Sequence, residues 1–315
     1  MSLTVVHGWR GLPDDQRGAS VALGNFDGVH LGHQRVIAAA AEAARRHDAR
    51  LGVVGFEPHP RVFFQPDAEP FRVMSLGQQA RALEALGVEL FYVLPFDADM
   101  AGLSDAAFVD AVLVEGLGVR WVSVGFDVTY GKGRSGGPDQ LRAAGERHGF
   151  GVTVVDRVAD ARDLKLSSTA VRDALHAGRP EEAAAILGRS FAIEGEVVHG
   201  DKRGREIGVP TANVRLGDYV RPRYGIYAVR TRLPDGRVFD GVASLGVRPM
   251  FEVAEPLLEV WLFDFEGDLY GQVIETDLVA WLRPEMSFDG LESLKAQIDD
   301  DAAAARSILR ETSRT

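Results

Sequence analysis

The sequence predicts an α/β unit followed by a β unit. The first half reads as a parallel sheet covered by helices, the second as an antiparallel barrel or sandwich closed by a helix. Three observations predict it. Residues 18–54 read as strand, glycine-rich turn, helix and strand; alternating strand patterns recur after about Gly188; and Leu291, Leu294, Ile298, Ala302, Ala305 and Leu309 fall at helical spacing.

Taken in order, Val21-Ala22-Leu23 is an apolar run entering the turn, an alanine-rich stretch to about His47 forms a helix, and residues 51–56 form the returning strand, which together make a βαβ unit. Residues 90–94 and 121–125 are two further short strands. Between them Ser104 is a good cap for a helix reaching Leu117, with Phe108, Val112 and Leu113 at helical spacing. Around Gly178-Arg179-Pro180 and Gly188 the character changes, which sets the expected domains at 1–183 and 184–315. Beyond it, strands are expected over 191–198, 224–231, 257–265 and 273–282, and the amphipathic helix at the end packs on them.

The 315 residues suffice for two domains with buried cores. With 46% hydrophobic and 26% charged residues and a mean hydropathy of −0.05, the chain has a folded globular composition. No apolar run approaches the roughly 18–20 residues of a spanning helix, and the first fifteen residues lack the basic start and apolar run of a signal peptide, so a cytoplasmic location is expected. The absence of cysteine removes disulfides, thiolate nucleophiles and cysteine zinc sites, leaving oxygen or histidine ligands for any metal. A net charge of −11 and a pI near 5.3 argue against a protein that coats nucleic acid, while a local basic loop still suffices for a small anion.

Gly24-Asn25-Phe26-Asp27-Gly28-Val29-His30-Leu31-Gly32-His33 lies where a strand ends and a helix begins. Glycines there let backbone approach a ligand, the helix start offers N–H groups, and two histidines three apart meet on one face of the first turn. The spacing is neither the dinucleotide fingerprint nor a P-loop. A tight turn with two surface histidines is the bland alternative. In the second half, the glycine-rich basic run from Gly195 to Gly208 can wrap a polyphosphate, and Thr211 and Asn213, two apart on an extended segment, present oxygens to one side. Glu259 alternates with Leu257, Trp261, Phe263 and Phe265, so it is either a partnered carboxylate on an aromatic face or a residue pointing to water.

His30-Leu31-Gly32-His33 resembles the HxGH signature of the nucleotidyltransferase superfamily, and Lys165-Leu166-Ser167-Ser168-Thr169-Ala170-Val171-Arg172 resembles its second signature. Phe56-Glu57-Pro58-His59-Pro60 and the segment from Gly125 through Asp127 and Tyr130 to Gly136 resemble the prokaryotic bifunctional riboflavin kinase/FAD synthetase family. Val128 and Tyr130 stand at the two positions where that family usually has phenylalanine. Gly200-Asp201-Lys202-Arg203-Gly204-Arg205-Glu206-Ile207-Gly208-Val209-Pro210-Thr211-Ala212-Asn213 resembles the kinase loop and Pro-Thr-Ala-Asn motif of the same family, with Val209 for the common Phe and, further on, Met250 for the usual Thr. The likeness runs from about Val21 to the last helix.

The resemblance implies a Rossmann-like nucleotidyltransferase sheet, then a kinase barrel, making FMN from riboflavin and FAD from FMN at the expense of ATP. It implies Glu259, His30 and His33 as catalytic. Gly24, Asn25, Phe26, Gly32, Asp127, Ser168, Thr169 and Arg172 would contact ATP in the adenylyltransferase, and Gly200, Lys202, Arg205, Gly208, Pro210, Thr211 and Asn213 in the kinase. Phe56, Pro58, His59, Tyr130, Tyr227 and Arg283 would contact flavin. Thr211 and Asn213 would hold the implied Mg²⁺, with Asp127 a further candidate ligand. Riboflavin, FMN, FAD and ATP are the expected partners, with neither nucleic acid nor membrane, and the chain is expected to be a monomer or weak homo-oligomer. Rival readings are a monofunctional enzyme with one degraded half, a flavin-sensing regulator or flavin carrier without turnover, and an adenylyltransferase acting on nucleic acid.

Overall fold

The computed structural model describes residues 2–156, 166–200, 208–247 and 256–312. The chain divides into two compact units: Met1–Ala68 with Leu76–Leu166, and Glu69–Ser75 with Ser167–Thr315.

The first unit contains, in chain order, β1 (Thr4–His7), β2 (Ser20–Leu23), α1 (Leu31–Arg46), β3 (Leu51–Glu57), α2 (Pro60–Phe64), α3 (Leu76–Ala85), β4 (Leu90–Pro95), α4 (Ala98–Gly102), α5 (Asp105–Phe108), β5 (Trp121–Gly125), α6 (Pro138–His148) and β6 (Gly151–Val155). Its six strands pair in the order β1-β4-β3-β2-β5-β6, every pairing parallel. All four residues of β2 are buried, as expected of a central strand covered on both faces. α1 turns Val36, Ile37, Ala40, Ala43 and Ala44 inward and ends on Arg45 and Arg46, whose charge suits a helix C-terminus. The expected helix after Ser104 forms, with the Ser104 hydroxyl accepting the Ala107 N–H at 3.1 Å. From Val109 to Gly116 it widens into π-type winding, and Gly116 sits so close to the Trp9 carbonyl that a Cβ would lie 2.7 Å from it.

The chain leaves β2 for β3 on one side and later returns to β5 on the other. The carboxyl ends of β2 and β5 therefore flank a switch point in strand order, where open α/β sheets bind ligands. The Gly24–His33 motif follows β2, and the Gly125–Gly136 segment follows β5.

The second unit has α7 (Ser168–His176), α8 (Pro180–Leu187), β7 (Phe191–Val198), β8 (Ala212–Arg215), β9 (Gly225–Arg232), β10 (Val238–Val247), β11 (Pro256–Leu262), β12 (Val273–Arg283) and α9 (Leu291–Thr312). The six strands close as a barrel in the order β10-β11-β8-β7-β12-β9 with antiparallel pairings, which decides between the two expected β architectures. Inside lie Tyr227, Val229, Leu258, Val260, Ile274 and Leu278, together with Thr231 and Thr276, whose hydroxyls pair at 3.0 Å. Outside, Ala302, Ala305 and Leu309 of α9 pack on Ala228, Trp261 and Phe263. Arg283 grips Asp301 of α9 in a two-pronged ion pair at 2.8 and 2.6 Å.

Candidate active sites

The turn after β2 holds an unusual backbone. Phe26 has φ 51° and Val29 φ 39°, left-handed values that cost a non-glycine residue about 1–3 kcal/mol each. Packing and hydrogen bonds hold them there. Both side chains are buried, the Phe26 ring lies where a Cβ on Gly24 would be 3.3 Å away, and the Val29 N–H donates to the Phe26 carbonyl at 2.9 Å. Gln34 Nε2 donates to the Val29 carbonyl at 3.1 Å, and the buried Gln79 donates to the Asn25 carbonyl at 3.0 Å. Asn25 itself is exposed at the tip, while Asp27 is buried.

His30 is the N-cap of α1, its Nδ1 accepting the His33 N–H at 3.2 Å. An accepting Nδ1 carries no proton, so the cap fixes the neutral ring with its proton on Nε2, a hydrogen-bond donor. The His33 ring stacks on it with centroids 3.6 Å apart and planes 21° apart, and the Phe26 edge meets His33 at 5.1 Å. Gly32 has no room for a side chain, since a Cβ would lie 3.0 Å from both the His30 ring and the Leu166 carbonyl. The two histidines are therefore a rigid stacked pair at a helix start, where N–H groups and partial positive charge favour anions.

Aromatic rings gather beside the carboxyl ends of β3 and β4. Phe56 meets Phe96 at 5.8 Å and Phe108 at 6.3 Å, and Phe96 meets Phe63 at 5.6 Å and Phe64 at 5.7 Å. Phe64 is 64% exposed, an uncovered ring face suited to stacking on a planar ligand. The Phe63-Phe64 pair just after the Pro58-His59-Pro60 motif was the signal for this patch, which sequence reasoning passed over together with Phe96. Pro58 is exposed, and His59 caps α2 through Nδ1 at 3.1 Å. Tyr130 packs on Phe108 at 5.6 Å, and burial with nearby Asp105 pushes its hydroxyl up to about 12, so it stays a protonated donor at neutral pH.

The Tyr130 loop is tied down. Tyr130 and Gly136 exchange backbone hydrogen bonds at 3.1 and 3.0 Å, the Lys132 N–H donates to Leu103, and the Ser135 hydroxyl donates to Asp105. Gly131 must be glycine, because φ is 74° and a Cβ would strike the Asp105 backbone at 2.5 Å. Asp127 is exposed just past the end of β5.

In the second unit Ser167 caps α7, accepting the Ala170 N–H at 3.2 Å, and Ser168 and Thr169 open the helix. Arg172 is occupied locally, its Nε donating to the Phe71 carbonyl at 2.7 Å and its guanidinium lying 5.2 Å over the Phe71 ring.

The barrel's outer face carries the other constellation. In register across adjacent strands, Asn213 on β8 opposes Glu259 on β11, which opposes Ser244 on β10. Directly opposed residues share a face. That face is the outer one, since Leu258 and Val260 fill the interior while Leu257, Glu259 and Trp261 point the other way and Trp261 lies under α9. Phe263 and Phe265, expected on the same strand face, fall beyond the end of β11 at Leu262, where Asp264 turns the chain with φ 59°. Asn213 is 7% exposed, and Gly200 is pressed against its carboxamide so that a Cβ would lie 2.6 Å from Nδ2. Thr211, one residue before β8, is half-buried, Pro210 is exposed, and Gly208 takes φ 81°.

Other expected residues take structural partners. Tyr227 is wholly buried inside the barrel with its hydroxyl donating to the Arg223 carbonyl, and Arg283 is committed to Asp301. Lys202 and Arg205, like Lys165 and Met250, lie outside the described residues. Among the described residues no group of three or more histidine, aspartate or glutamate side chains is placed to hold a metal, and no helix is long and apolar enough to cross a membrane.

Residues 12–170 match the family model for FAD synthetase, and residues 187–309 match that for riboflavin kinase. A bifunctional riboflavin kinase/FMN adenylyltransferase of Pseudomonas fluorescens is 42% identical over 97% of this chain and 98% of its own. One of Haemophilus influenzae is 39% identical over 94% of this chain and 97% of its own. A crystal structure from Streptococcus pneumoniae, titled as a macrolide-efflux protein, superposes with a TM-score of 0.85 at 29% identity, covering 97% of this chain and 99% of that one.

Proposed function

The chain belongs to the bifunctional riboflavin kinase/FMN adenylyltransferase family, and from that premise we propose which residues carry each of its two reactions. It phosphorylates riboflavin to FMN with ATP, and adenylylates FMN with ATP to give FAD and pyrophosphate.

In the kinase, the terminal ribityl hydroxyl attacks the γ-phosphorus of ATP. A new O–P bond forms, the bond to the β-phosphate oxygen breaks, ADP leaves, and the hydroxyl proton passes to Glu259. The observation that carries this assignment is the in-register pairing of Asn213 with Glu259, which sets a phosphate-side residue beside the base across one pair of strands. The Thr211 hydroxyl and the Asn213 carboxamide are uncharged oxygen donors, which suits Mg²⁺, a cation that takes its remaining ligands from water and substrate phosphates. When bound it would neutralise charge on the transferring phosphate. Gly200 presets the Asn213 carboxamide. Gly200→Ala should therefore raise the KM for Mg-ATP in riboflavin phosphorylation severalfold and leave FAD formation from FMN unchanged; an unaltered KM in the folded variant would refute that role.

In the adenylyltransferase the FMN phosphate is itself the nucleophile, largely dianionic at neutral pH with a second pKa of about 6, so no general base is required. It attacks the α-phosphorus, and pyrophosphate departs. The stacked His30–His33 pair at the start of α1 supports a charge-stabilising role on the ATP phosphates, with the backbone of Gly24, Phe26 and Gly32 forming the bed and Asn25 and Asp127 as polar contacts. Ser168, Thr169 and Arg172 are assigned to the pyrophosphate. Phe56, Phe96, Phe63 and Phe64 with Tyr130 would pack the flavin ring. Dependence on ATP supports action in the cytoplasm, and motif sets complete within one chain support a monomer or weak homo-oligomer.

Incubation with riboflavin, ATP and Mg²⁺, followed by separation of FMN from FAD, tests both assignments at once when repeated on variants of each site. The contacts also bear on the boundary. α7 packs on α8, the Arg223 N–H donates to Leu175 at 2.9 Å, and Gly178 abuts Arg223, so we place the start of the kinase domain at Ser167, before α7, rather than inside α8 at residue 184. A 167–315 fragment should convert riboflavin to FMN, make no FAD, and melt above a 184–315 fragment. Equal melting temperatures would refute the earlier boundary.

A further inference from the structure

The outer barrel face holds a second carboxylate beside the one assigned as base. β12 ends at Arg283, whose Nη1 donates to the Pro284 carbonyl at 2.9 Å while Nε and Nη2 hold Asp301, so the backbone entering Glu285 is clamped. Glu285 Oε1 accepts from the Ser244 hydroxyl at 3.4 Å, and its two oxygens lie 2.5 and 2.7 Å from where a Cβ on Gly246 would stand. Any larger residue at 246 would expel it. Ser244 directly opposes Glu259, and Gly246 opposes Leu257, so the Glu285 carboxylate lies over β10 beside the row Asn213–Glu259–Ser244.

A ribityl chain is a run of hydroxyl donors, and only its terminal hydroxyl reacts. If Glu259 is to receive that proton, the hydroxyls before it need acceptors on the same face, within the roughly 5 Å that separates opposed strand residues. We propose that Glu285, aided by Ser244, grips the inner ribityl hydroxyls of riboflavin and sets the terminal hydroxyl against Glu259. The proposal rests on the reading of Glu259 as the base. Glu285 is a substrate-holding residue that takes no proton in the reaction, and it selects for a polyol side chain on the flavin.

The test uses the full chain with Glu285→Ala, Glu285→Gln and Ser244→Ala, measuring riboflavin phosphorylation and its inhibition by lumiflavin, which keeps the ring system and lacks the ribityl chain. Glu285→Ala should raise the KM for riboflavin about tenfold, as expected for loss of one charge-assisted hydrogen bond. Glu285→Gln and Ser244→Ala should raise it less. The lumiflavin inhibition constant and the KM for ATP in riboflavin phosphorylation should stay within twofold of the wild-type values, which reports an intact barrel, and FAD formation from added FMN should be unchanged. A riboflavin KM unchanged in both Glu285→Ala and Ser244→Ala overturns the proposal, as does a lumiflavin constant that rises in step with it. If Glu285→Gln abolishes turnover with KM unchanged while Glu259→Gln is active, the base assignment fails and Glu285 takes its place, a result distinct from failure of the grip alone.

Discussion

Glu259→Gln should slow riboflavin phosphorylation by roughly 10²- to 10⁴-fold, the range for loss of a general base, while FAD formation from FMN proceeds at the wild-type rate. The ribityl hydroxyl is protonated at neutral pH, so its attack on phosphorus needs somewhere for the proton to go, whereas the FMN phosphate brings its own charge. Gln keeps the size and hydrogen bonding of Glu, and position 259 is half-buried between Asn213 and Ser244, so the change should leave the strand pairing intact. Riboflavin and Mg-ATP affinities should then change little. Thr211→Ala and Asn213→Ala, by contrast, should weaken Mg-ATP binding itself, which separates loss of a base from loss of a binding group. Near wild-type turnover of riboflavin by Glu259→Gln would make Glu259 a surface residue and send the search for the base elsewhere on the barrel.

The parts of the fold that could be read from sequence are those whose burial repeats over several residues. α1, β7, β9, β12 and α9 each present one continuous face, and periodicity finds them. β10 escapes the periodicity, because Gly241, Ser244 and Gly246 break its alternation. Those interruptions have structural uses, since Gly241 lets the Trp261 carbonyl approach and Gly246 makes room for Glu285. β1 and β6 are the edges of the parallel sheet, four and five residues long and only partly buried, which is too little pattern to separate from loop. β8 is four residues, too short for a strand pattern, and only the spacing of Thr211 and Asn213 marks it as extended.

The candidate sites divide along the same physical line. His30 and His33 are three apart on one helix, so their meeting is a local consequence of helical geometry. The row Asn213–Glu259–Ser244 joins three strands, and nothing local encodes that register. Tyr227 and Arg283, which the resemblance places at the flavin, also have structural duties that no local pattern announces: Tyr227 fills the barrel interior and Arg283 pairs with Asp301 of α9. Phe96 stands far in sequence from Phe63 and Phe64 and joins them only because β3 and β4 are neighbours in the sheet.

His30→Ala and His33→Ala should each cost about 2.7–4 kcal/mol in the barrier to FAD formation, roughly 10²- to 10³-fold, if each donor acts like one lost from an oxyanion site. Conversion of riboflavin to FMN should continue. The two variants differ in a way that the cap makes measurable. His30 accepts the His33 N–H and closes the first turn of α1, so His30→Ala also loses an N-cap worth about 0.5–2 kcal/mol and should lower the melting temperature of its unit by about 2–4 °C for each kcal/mol lost. His33→Ala keeps the cap and should melt closer to the wild type. His30→Asn resolves the two roles, because Asn is a strong N-cap that lacks the imidazole donor. It should restore the melting temperature without restoring FAD synthesis. If His30→Asn instead recovers both, His30 serves α1 rather than the phosphates, and the charge-stabilising role falls to His33 and the helix N–H groups alone.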